Sequence, residues 1–143
     1  MKKKYVLRNI PKIDGYTKKD TIFYLKQAIK ISDEWARFFL LKTYEGQTDN
    51  EKDGFETERV NAQGFSKYDS PFLTFMARKA QNREEYVGQK KELLVEAREL
   101  TAKYAAQVAE KMTEEELREC IKFGKTVSPQ GKVDRFSLMD LED

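Results

Sequence analysis

The chain has 143 residues, of which 39% are hydrophobic and 36% charged, with a formal net charge of +2, one cysteine and no histidine. The lack of imidazole excludes histidine-bound zinc, Ser–His and Cys–His nucleophile pairs and imidazole proton relays. A lone cysteine excludes a disulfide within the monomer, and no apolar run approaches the roughly 18 residues of a membrane span. With no glycine-rich phosphate loop either, we expect a cytoplasmic, non-enzymatic protein without metal, cofactor or membrane partner.

Residues 1–16 are predicted to form a basic extended arm. The β-branched and aromatic side chains of residues 5–10 favour a short strand, and an extended segment without a partner strand is the alternative. Pro11 ends either structure, because proline lacks a backbone N–H and restricts the residue before it.

Apolar residues recur at helical spacing over residues 18–45. Thr17 is a suitable N-cap for this region, and Trp35 and Phe39 are expected to be core anchors on its apolar stripe. Ser32 could start a second helix, so the sequence leaves open whether 18–45 is one helix or two.

A second long helix is predicted over residues 71–112. The Asp-Ser-Pro sequence at 69–71 is a strong helix start, because a capping side chain precedes a proline in the first turn. Gly88 falls inside this region and is expected to bend the helix without breaking it, since glycine costs about 1 kcal/mol relative to alanine.

A short helix is predicted over residues 114–123. The Thr-Glu-Glu-Glu sequence at 113–116 has the spacing of a capping box, and Gly124 is expected to end the helix. The tail, residues 125–143, favours a docking peptide and a last strand equally.

The expected fold is mainly α: a single domain over 1–143 with two long packed helices, a short C-terminal helix and a long irregular loop over 46–69. The loop carries three aromatic side chains, Phe55, Phe65 and Tyr68, at positions where burial is least assured. Exposed aromatics are typical anchors of protein interfaces, so we expect these three to bind a partner. The alternative is that the loop folds over the helices and buries them.

Positive charge is concentrated near the N-terminus. Residues 1–30 carry nine lysines and arginines against two aspartates, and the basic residues are interleaved with Tyr5 and Tyr16. Such a mixture suits phosphate contact combined with base stacking, whereas the alternative is an ordinary solubilising terminus. A second basic stretch shares one side of the predicted second helix. The candidate nucleic-acid contacts in the two stretches are Lys2, Lys3, Lys4, Arg8, Lys12, Lys18, Lys19, Lys79 and Arg83.

Three other patterns favour structural interpretations. Residues 49–54 resemble the opening of a calcium loop, but Val60 stands where an EF-hand needs a bidentate glutamate. The glutamates between 84 and 99 have basic neighbours at helix-pair spacing, which is typical of a solvated face. Cys120 lies beside apolar residues and is expected to be buried.

In size, in lysine and aromatic content and in its lack of an enzyme signature, the chain resembles the small accessory proteins of bacteriophages and mobile elements. That resemblance implies a non-enzymatic binding protein that modulates or inhibits a host macromolecule, such as a defence nuclease. Its partner would be a protein or a ribonucleoprotein. The alternative is a nucleic-acid-binding regulatory or packaging factor that acts through the basic N-terminal region.

Overall fold

A computed structural model of the chain describes residues 10–46 and 64–127. The regular elements in these two ranges are all helical, which confirms the predicted mainly α fold. Several expectations lie outside the described residues: the strand alternative and the basic contacts before Ile10, the irregular loop with Phe55 over 47–63, and the conformation of the tail beyond Val127.

Short connections join the helices, except between the second and the third. In chain order the helices are α1 Lys18–Ile31, α2 Asp33–Glu45, α3 Ser70–Ala80, α4 Arg83–Val87, α5 Lys91–Thr101, α6 Ala105–Ala109 and α7 Glu114–Val127, with a 3₁₀ turn at Ala102–Tyr104 between α5 and α6. None of the helices in the described ranges combines the length and apolar character that crossing a bilayer requires.

Ser32 separates the first two helices and so settles the question that the sequence left open. Thr17 caps α1, and its Oγ1 accepts a hydrogen bond from the backbone N–H of Asp20 at 3.0 Å. Ser32 has extended backbone angles, and its Oγ accepts from the N–H of Trp35 at 3.0 Å. Because this side chain satisfies a free N–H group, it favours a new helix start over continuation of α1.

The prediction of one long helix over 71–112 is wrong. After α3 ends at Ala80, Asn82 starts α4 with extended backbone, and its Oδ1 accepts from the N–H of Glu85 at 3.1 Å. Gly88 ends α4 instead of bending a longer helix, and the 3₁₀ turn divides α5 from α6. The side chain of asparagine competes with the hydrogen bonds of a helical backbone. Asn82 therefore starts a new helix, where hydrophobic periodicity alone predicts a continuous helix.

The capping box of the last helix forms as predicted, whereas the predicted helix end at Gly124 is wrong. Thr113 Oγ1 accepts from the N–H of Glu116, and Glu116 Oε1 accepts from the N–H of Thr113, both at 3.0 Å. α7 continues through Gly124 to Val127. A Cβ at position 124 would overlap the carbonyl oxygen of Tyr24 in α1, so this glycine permits a close approach of two helices.

α2 lies between two hydrophobic clusters. The first cluster joins α1, α2, α6 and α7 and contains Phe39, and the second joins α2, α3, α4 and α5 and contains Leu40. Phe39 is fully buried, as expected, while Trp35 is half-buried with its ring centroid 6.3 Å from that of Phe39. Cys120 is buried in the first cluster, also as expected, and burial raises the pKa of its thiol.

Candidate binding surfaces

The aromatic face, which we define as Tyr68, Phe72, Phe75 and Lys79, follows one side of α3 and the turn before it. Spacings of three and four residues place Phe72, Phe75 and Lys79 on the same side of α3, and Tyr68 lies in the turn two residues before this helix begins. Tyr68 is 93% exposed and Phe75 is 41% exposed, whereas Phe72 is half-buried against the second cluster. The Nζ of Lys79 lies 5.5 Å from the ring centroid of Phe75, within cation–π distance.

Tyr68 is held outward by the anchored residues on either side of it. The ring of Phe65 is buried edge-on against Tyr104, with centroids 5.7 Å apart. The carboxylate of Asp69 accepts a hydrogen bond from Tyr104 Oη at 2.6 Å and lies 2.8 Å from Lys103 Nζ. With Phe65 and Asp69 both turned into the protein, the ring of Tyr68 is left in solvent.

Further hydrogen bonds fasten the chain that leads into α3. The side-chain amide of Gln107 accepts from Gly64 N at 2.9 Å and donates to Gly64 O at 3.4 Å. Tyr104 Oη accepts from Ser66 N at 2.9 Å. Burial, together with the hydrogen bond to Asp69, raises the pKa of Tyr104 to about 12, so its hydroxyl keeps its proton at neutral pH. The aromatic face therefore stands on a fixed backbone.

The three predicted partner-binding aromatics have different outcomes. Tyr68 lies on the surface, whereas Phe65 is 1% exposed and belongs to the core rather than to a partner surface. Phe55 lies outside the described residues. Phe75 was not among the residues predicted from the sequence to bind a partner. The spacing from Tyr68 through Phe75 to Lys79 is the signal that could have identified it.

The predicted basic side shared by Lys79 and Arg83 does not form, because α3 ends between the two residues. The guanidinium of Arg83 instead donates from Nε to Glu34 Oε2 at 2.8 Å, which ties α4 to α2. The charge of Arg83 is thus compensated within the fold, while Lys79 is part of the aromatic face.

A second surface, the basic groove, lies where the turn before α1 meets α7 and has a volume of about 270 Å³. Asp14 and Tyr16 line one side, and Arg118, Lys122 and Lys125 line the other. The Nζ of Lys125 donates to Tyr16 Oη at 2.6 Å, and this bond raises the pKa of Lys125 above its ordinary value. The Nε of Arg118 lies 3.2 Å from Asp14 Oδ2.

The basic residues predicted in the first helix and before it are found partly at the surface. Lys12 and Lys19 are exposed, and Lys18 is half-buried and has contacts of its own. The basic residues of α7, Arg118, Lys122 and Lys125, were not predicted as contacts, although their spacing places them on one side of a helix. The remaining predicted contacts lie outside the described residues: Lys2, Lys3, Lys4 and Arg8.

The two surfaces offer different non-covalent contacts. The aromatic face offers ring packing and a cation, whereas the basic groove offers charge and hydrogen-bond donors. Within the described part of the chain, no group of three or more potential metal ligands gathers into a cation site. No protein-family model matches the chain, and no curated protein and no solved structure matches it significantly.

Proposed function

We propose that this protein is a non-enzymatic binding protein whose aromatic face docks on a protein or ribonucleoprotein partner. In this proposal it is a phage- or mobile-element-type accessory protein that modulates or inhibits a host macromolecule, such as a defence nuclease. The observation that supports it best is the exposure of Tyr68, in the turn before α3, and of Phe75, on α3. Exposed rings on a fixed backbone are typical anchors of protein interfaces.

Transfer of these two rings into a partner supplies the main driving force. An aromatic side chain buries about 150–250 Å² in total, and each Å² of apolar surface removed from water contributes about 25 cal/mol. The exposed fractions of Tyr68 and Phe75 therefore leave a substantial part of that area free for an interface. Lys79, beside the ring of Phe75, favours a carboxylate or a carbonyl oxygen at the rim of the partner's pocket.

The rigidity of the surrounding chain adds to this argument. Ordering a loop upon binding costs conformational entropy, which lowers affinity. Tyr68 lies between the buried Phe65 and the hydrogen-bonded Asp69, so its backbone is already ordered in the free protein. An interface built on Tyr68 would pay this cost only for the side chain.

The test is the double substitution Tyr68→Ser and Phe75→Ser. We expect the affinity for the partner to fall by about 2 kcal/mol or more, which is about 30-fold, because two anchors are removed. The matched control is Ile31→Ser with Val95→Ser, which removes two other exposed apolar side chains, 55% and 37% exposed, on α1 and α5.

The partner is first captured on the immobilised wild-type protein from host lysate, in parallel with and without nuclease treatment. It is then purified and titrated against all three proteins by calorimetry. A partner that binds the wild type and the control alike, but binds the double variant weakly, supports the proposal. A partner whose affinity is the same for all three proteins contradicts it.

The alternative function is a nucleic-acid-binding regulatory or packaging factor that acts through the basic N-terminal region. The observation that favours it is the position of the basic groove. Asp14 and Tyr16 are the last part of the predicted arm, and α7 places further cations opposite them. The described end of the arm therefore borders a surface that carries the cations of α7.

A further inference from the structure

We propose that the basic groove binds the phosphate backbone of a nucleic acid, with Lys122 and Lys125 as contacts and Asp14 as an internal competitor for Arg118. This inference rests on the alternative function and adds α7 to its site. In the free protein Asp14 occupies the guanidinium of Arg118, and a phosphate takes the place of that carboxylate when nucleic acid binds.

The charge of Lys125 is held in place but not neutralised. Its hydrogen-bond partner, Tyr16 Oη at 2.6 Å, is a neutral hydroxyl, and its Nζ lies 5.2 Å from the ring centroid of Tyr16. An ammonium group fixed in this way gives up less side-chain freedom on binding than a free lysine would. Lys122 is exposed one helical turn away.

The spacing of the basic residues on α7 also supports the proposal. Arg118, Lys122 and Lys125 follow one another at i, i+4 and i+7 on α7. Seven residues of α-helix rise about 10.5 Å, which is the axial distance occupied by about three successive phosphates of one DNA strand. The row therefore matches the repeat of a nucleic-acid backbone better than it matches a single isolated anion.

The contact that a phosphate must replace, between Asp14 and Arg118, is weak. The side chains of Arg118 and Asp14 are 49% and 54% exposed, and ion pairs this exposed to water contribute about 0–1 kcal/mol. A phosphate on a polyanion also releases condensed counterions, which a single carboxylate does not. The exchange of Asp14 for phosphate at Arg118 is therefore favoured at low salt.

The basic groove is close in sequence to the cations of the arm. Ile10 and Ile13 are buried in the first cluster, and Ile13 also lines the groove. The chain positions before Ile10 include four cations, and the exposed Lys12 lies between the two isoleucines. Cations of the arm are thus covalently attached within a few residues of the groove.

The experiment measures fluorescence anisotropy of labelled single- and double-stranded DNA and RNA, about 20 nucleotides long, which exceeds the roughly 4–16 nucleotides of common single-strand sites. The variant Lys122→Gln with Lys125→Gln should bind at least about tenfold more weakly at about 50 mM salt. Its log–log salt slope should be lower by about 1.4–1.8, because each lost phosphate contact removes about 0.7–0.9.

Asp14→Asn should have the opposite effect, because it removes a negative charge that competes with phosphate for Arg118. Two unit charges about 4 Å apart in water interact by a free energy that corresponds to about a fivefold change in affinity, so the variant should bind nucleic acid about fivefold more tightly. The substitution suits the backbone, since Asp14 has a φ of 45° and asparagine tolerates this region. The matched control is Lys91→Gln with Lys111→Gln, which removes two exposed lysines elsewhere. The control should keep most of the wild-type affinity and slope.

The inference is overturned if the groove variant behaves like the control, or if Asp14→Asn does not strengthen binding. The variant in which Lys2, Lys3, Lys4 and Arg8 are serine separates this failure from failure of the alternative function. If that variant alone loses binding, the arm binds nucleic acid without the groove, whereas a wild type that binds no nucleic acid overturns both. Equal, groove-dependent binding to phosphatidylserine vesicles would assign the groove to membranes and also overturn the inference.

Discussion

Tyr104 is the residue on which the presentation of the aromatic face depends. Its hydroxyl donates to Asp69 Oδ2 at 2.6 Å and accepts from Ser66 N at 2.9 Å, and its ring packs edge-on against Phe65. One side chain of the 3₁₀ turn thereby fixes three residues of the segment that carries Tyr68. The buried hydroxyl is satisfied in both of its roles, as donor and as acceptor.

Tyr104→Phe should lower the free energy of unfolding by about 1–3 kcal/mol. The substitution keeps the ring but leaves the buried carboxylate of Asp69 without one donor and the N–H of Ser66 without an acceptor. Urea denaturation followed by circular dichroism measures the change. Tyr68→Phe is the matched control, because its hydroxyl belongs to a side chain that is 93% exposed. Equal midpoints for the two variants would contradict this role of Tyr104.

Tyrosine ionisation should also make the fold sensitive to alkali. Burial raises the pKa of Tyr104 from 10.0 to about 12, and burial raises the pKa of Tyr86 as well. A folded pKa above the unfolded one means that the stabilisation is complete below about pH 10 and is lost as the pH rises through about 12. The slope is at most about 1.4 kcal/mol per pH unit for each tyrosine.

The measurement is the urea midpoint at intervals between pH 9 and pH 12, for the wild type and for Tyr104→Phe. The difference in stability between the two proteins should shrink towards the upper end of this range, because the wild type loses the contribution of the Tyr104 hydroxyl there. A difference that stays constant with pH would show that Tyr104 titrates normally in the folded protein.

At the scale of the elements, α1 and α7 approach so closely that only glycine fits at position 124. A Cβ there would overlap the carbonyl oxygen of Tyr24 and lie 2.9 Å from its carbonyl carbon. Backbone atoms cannot move aside as a flexible side chain can, so a methyl group at this point must push the helices apart. The same contact positions the basic end of α7 against the turn at Tyr16.

Gly124→Ala should therefore destabilise the protein by about 1–3 kcal/mol through overpacking, although alanine is the better helix former by about 1 kcal/mol. Thermal denaturation measures the effect, and Lys122→Ala on the exposed side of α7 is the control, with an expected change within about 0.5 kcal/mol. A Gly124→Ala variant that melts later than the wild type would show that helix propensity prevails over the contact.

Local capping chemistry made several helix starts predictable, because a cap is read from residues three or four positions apart, but the start at Asn82 was not predicted and Asp69 makes no capping hydrogen bond. Thr17 and Thr113 both act as predicted, and Ser32 is one of the alternatives that the sequence offered. Helix ends were less predictable: Gly88 ends a helix, while Gly124 sits inside one. A glycine that serves close packing cannot be distinguished from a glycine that ends a helix until the neighbouring backbone is known.

The features of the candidate surfaces also divide into those that local sequence predicts and those that depend on tertiary contacts. Phe65 and Tyr68 are three residues apart in a segment without regular periodicity. Only the packing of Phe65 against Tyr104 of the 3₁₀ turn decides which of the two rings is buried. The excess of cations near the N-terminus was evident from composition. The pairing of Lys125 with Tyr16 was not, because it joins residues 109 positions apart in sequence.

For the molecule as a whole, the two surfaces belong to different parts of the fold. The aromatic face stands on the second cluster, where α3 packs against α2, α4 and α5, and the basic groove borders the first cluster, where α7 packs against α1. α2 contributes Phe39 to one cluster and Leu40 to the other. Because the aromatic face and the basic groove belong to different clusters and share no contacting side chain, substitutions in one are expected to act independently of substitutions in the other.

This arrangement predicts that the two surfaces separate cleanly by mutation. The aromatic-face variant, Tyr68→Ser with Phe75→Ser, should bind nucleic acid as the wild type does. The groove variant, Lys122→Gln with Lys125→Gln, should keep its affinity for a protein partner. When the four substitutions are combined, the loss of binding free energy for each ligand should equal the sum of the losses caused by the two separate variants, within about 0.5 kcal/mol. Calorimetric titration of each ligand against all four proteins measures the coupling, and a larger deviation would mean that both ligands contact a common surface.

The unfolding curves of the same proteins provide the last test. Substitution of Tyr68, which is 93% exposed, should change the free energy of unfolding by no more than about 0.5 kcal/mol, whereas substitution of Phe75, which is 41% exposed, should cost more than that but less than loss of a fully buried ring. A buried aromatic that becomes serine should instead cost several kcal/mol, since loss of a large core side chain costs about 3–5 kcal/mol. Phe65→Ser, which replaces a buried ring three residues before Tyr68, is the reference for that larger effect. If Tyr68→Ser with Phe75→Ser destabilises the protein as much as Phe65→Ser does, these rings fill the protein's own core, and the aromatic face is not a docking surface.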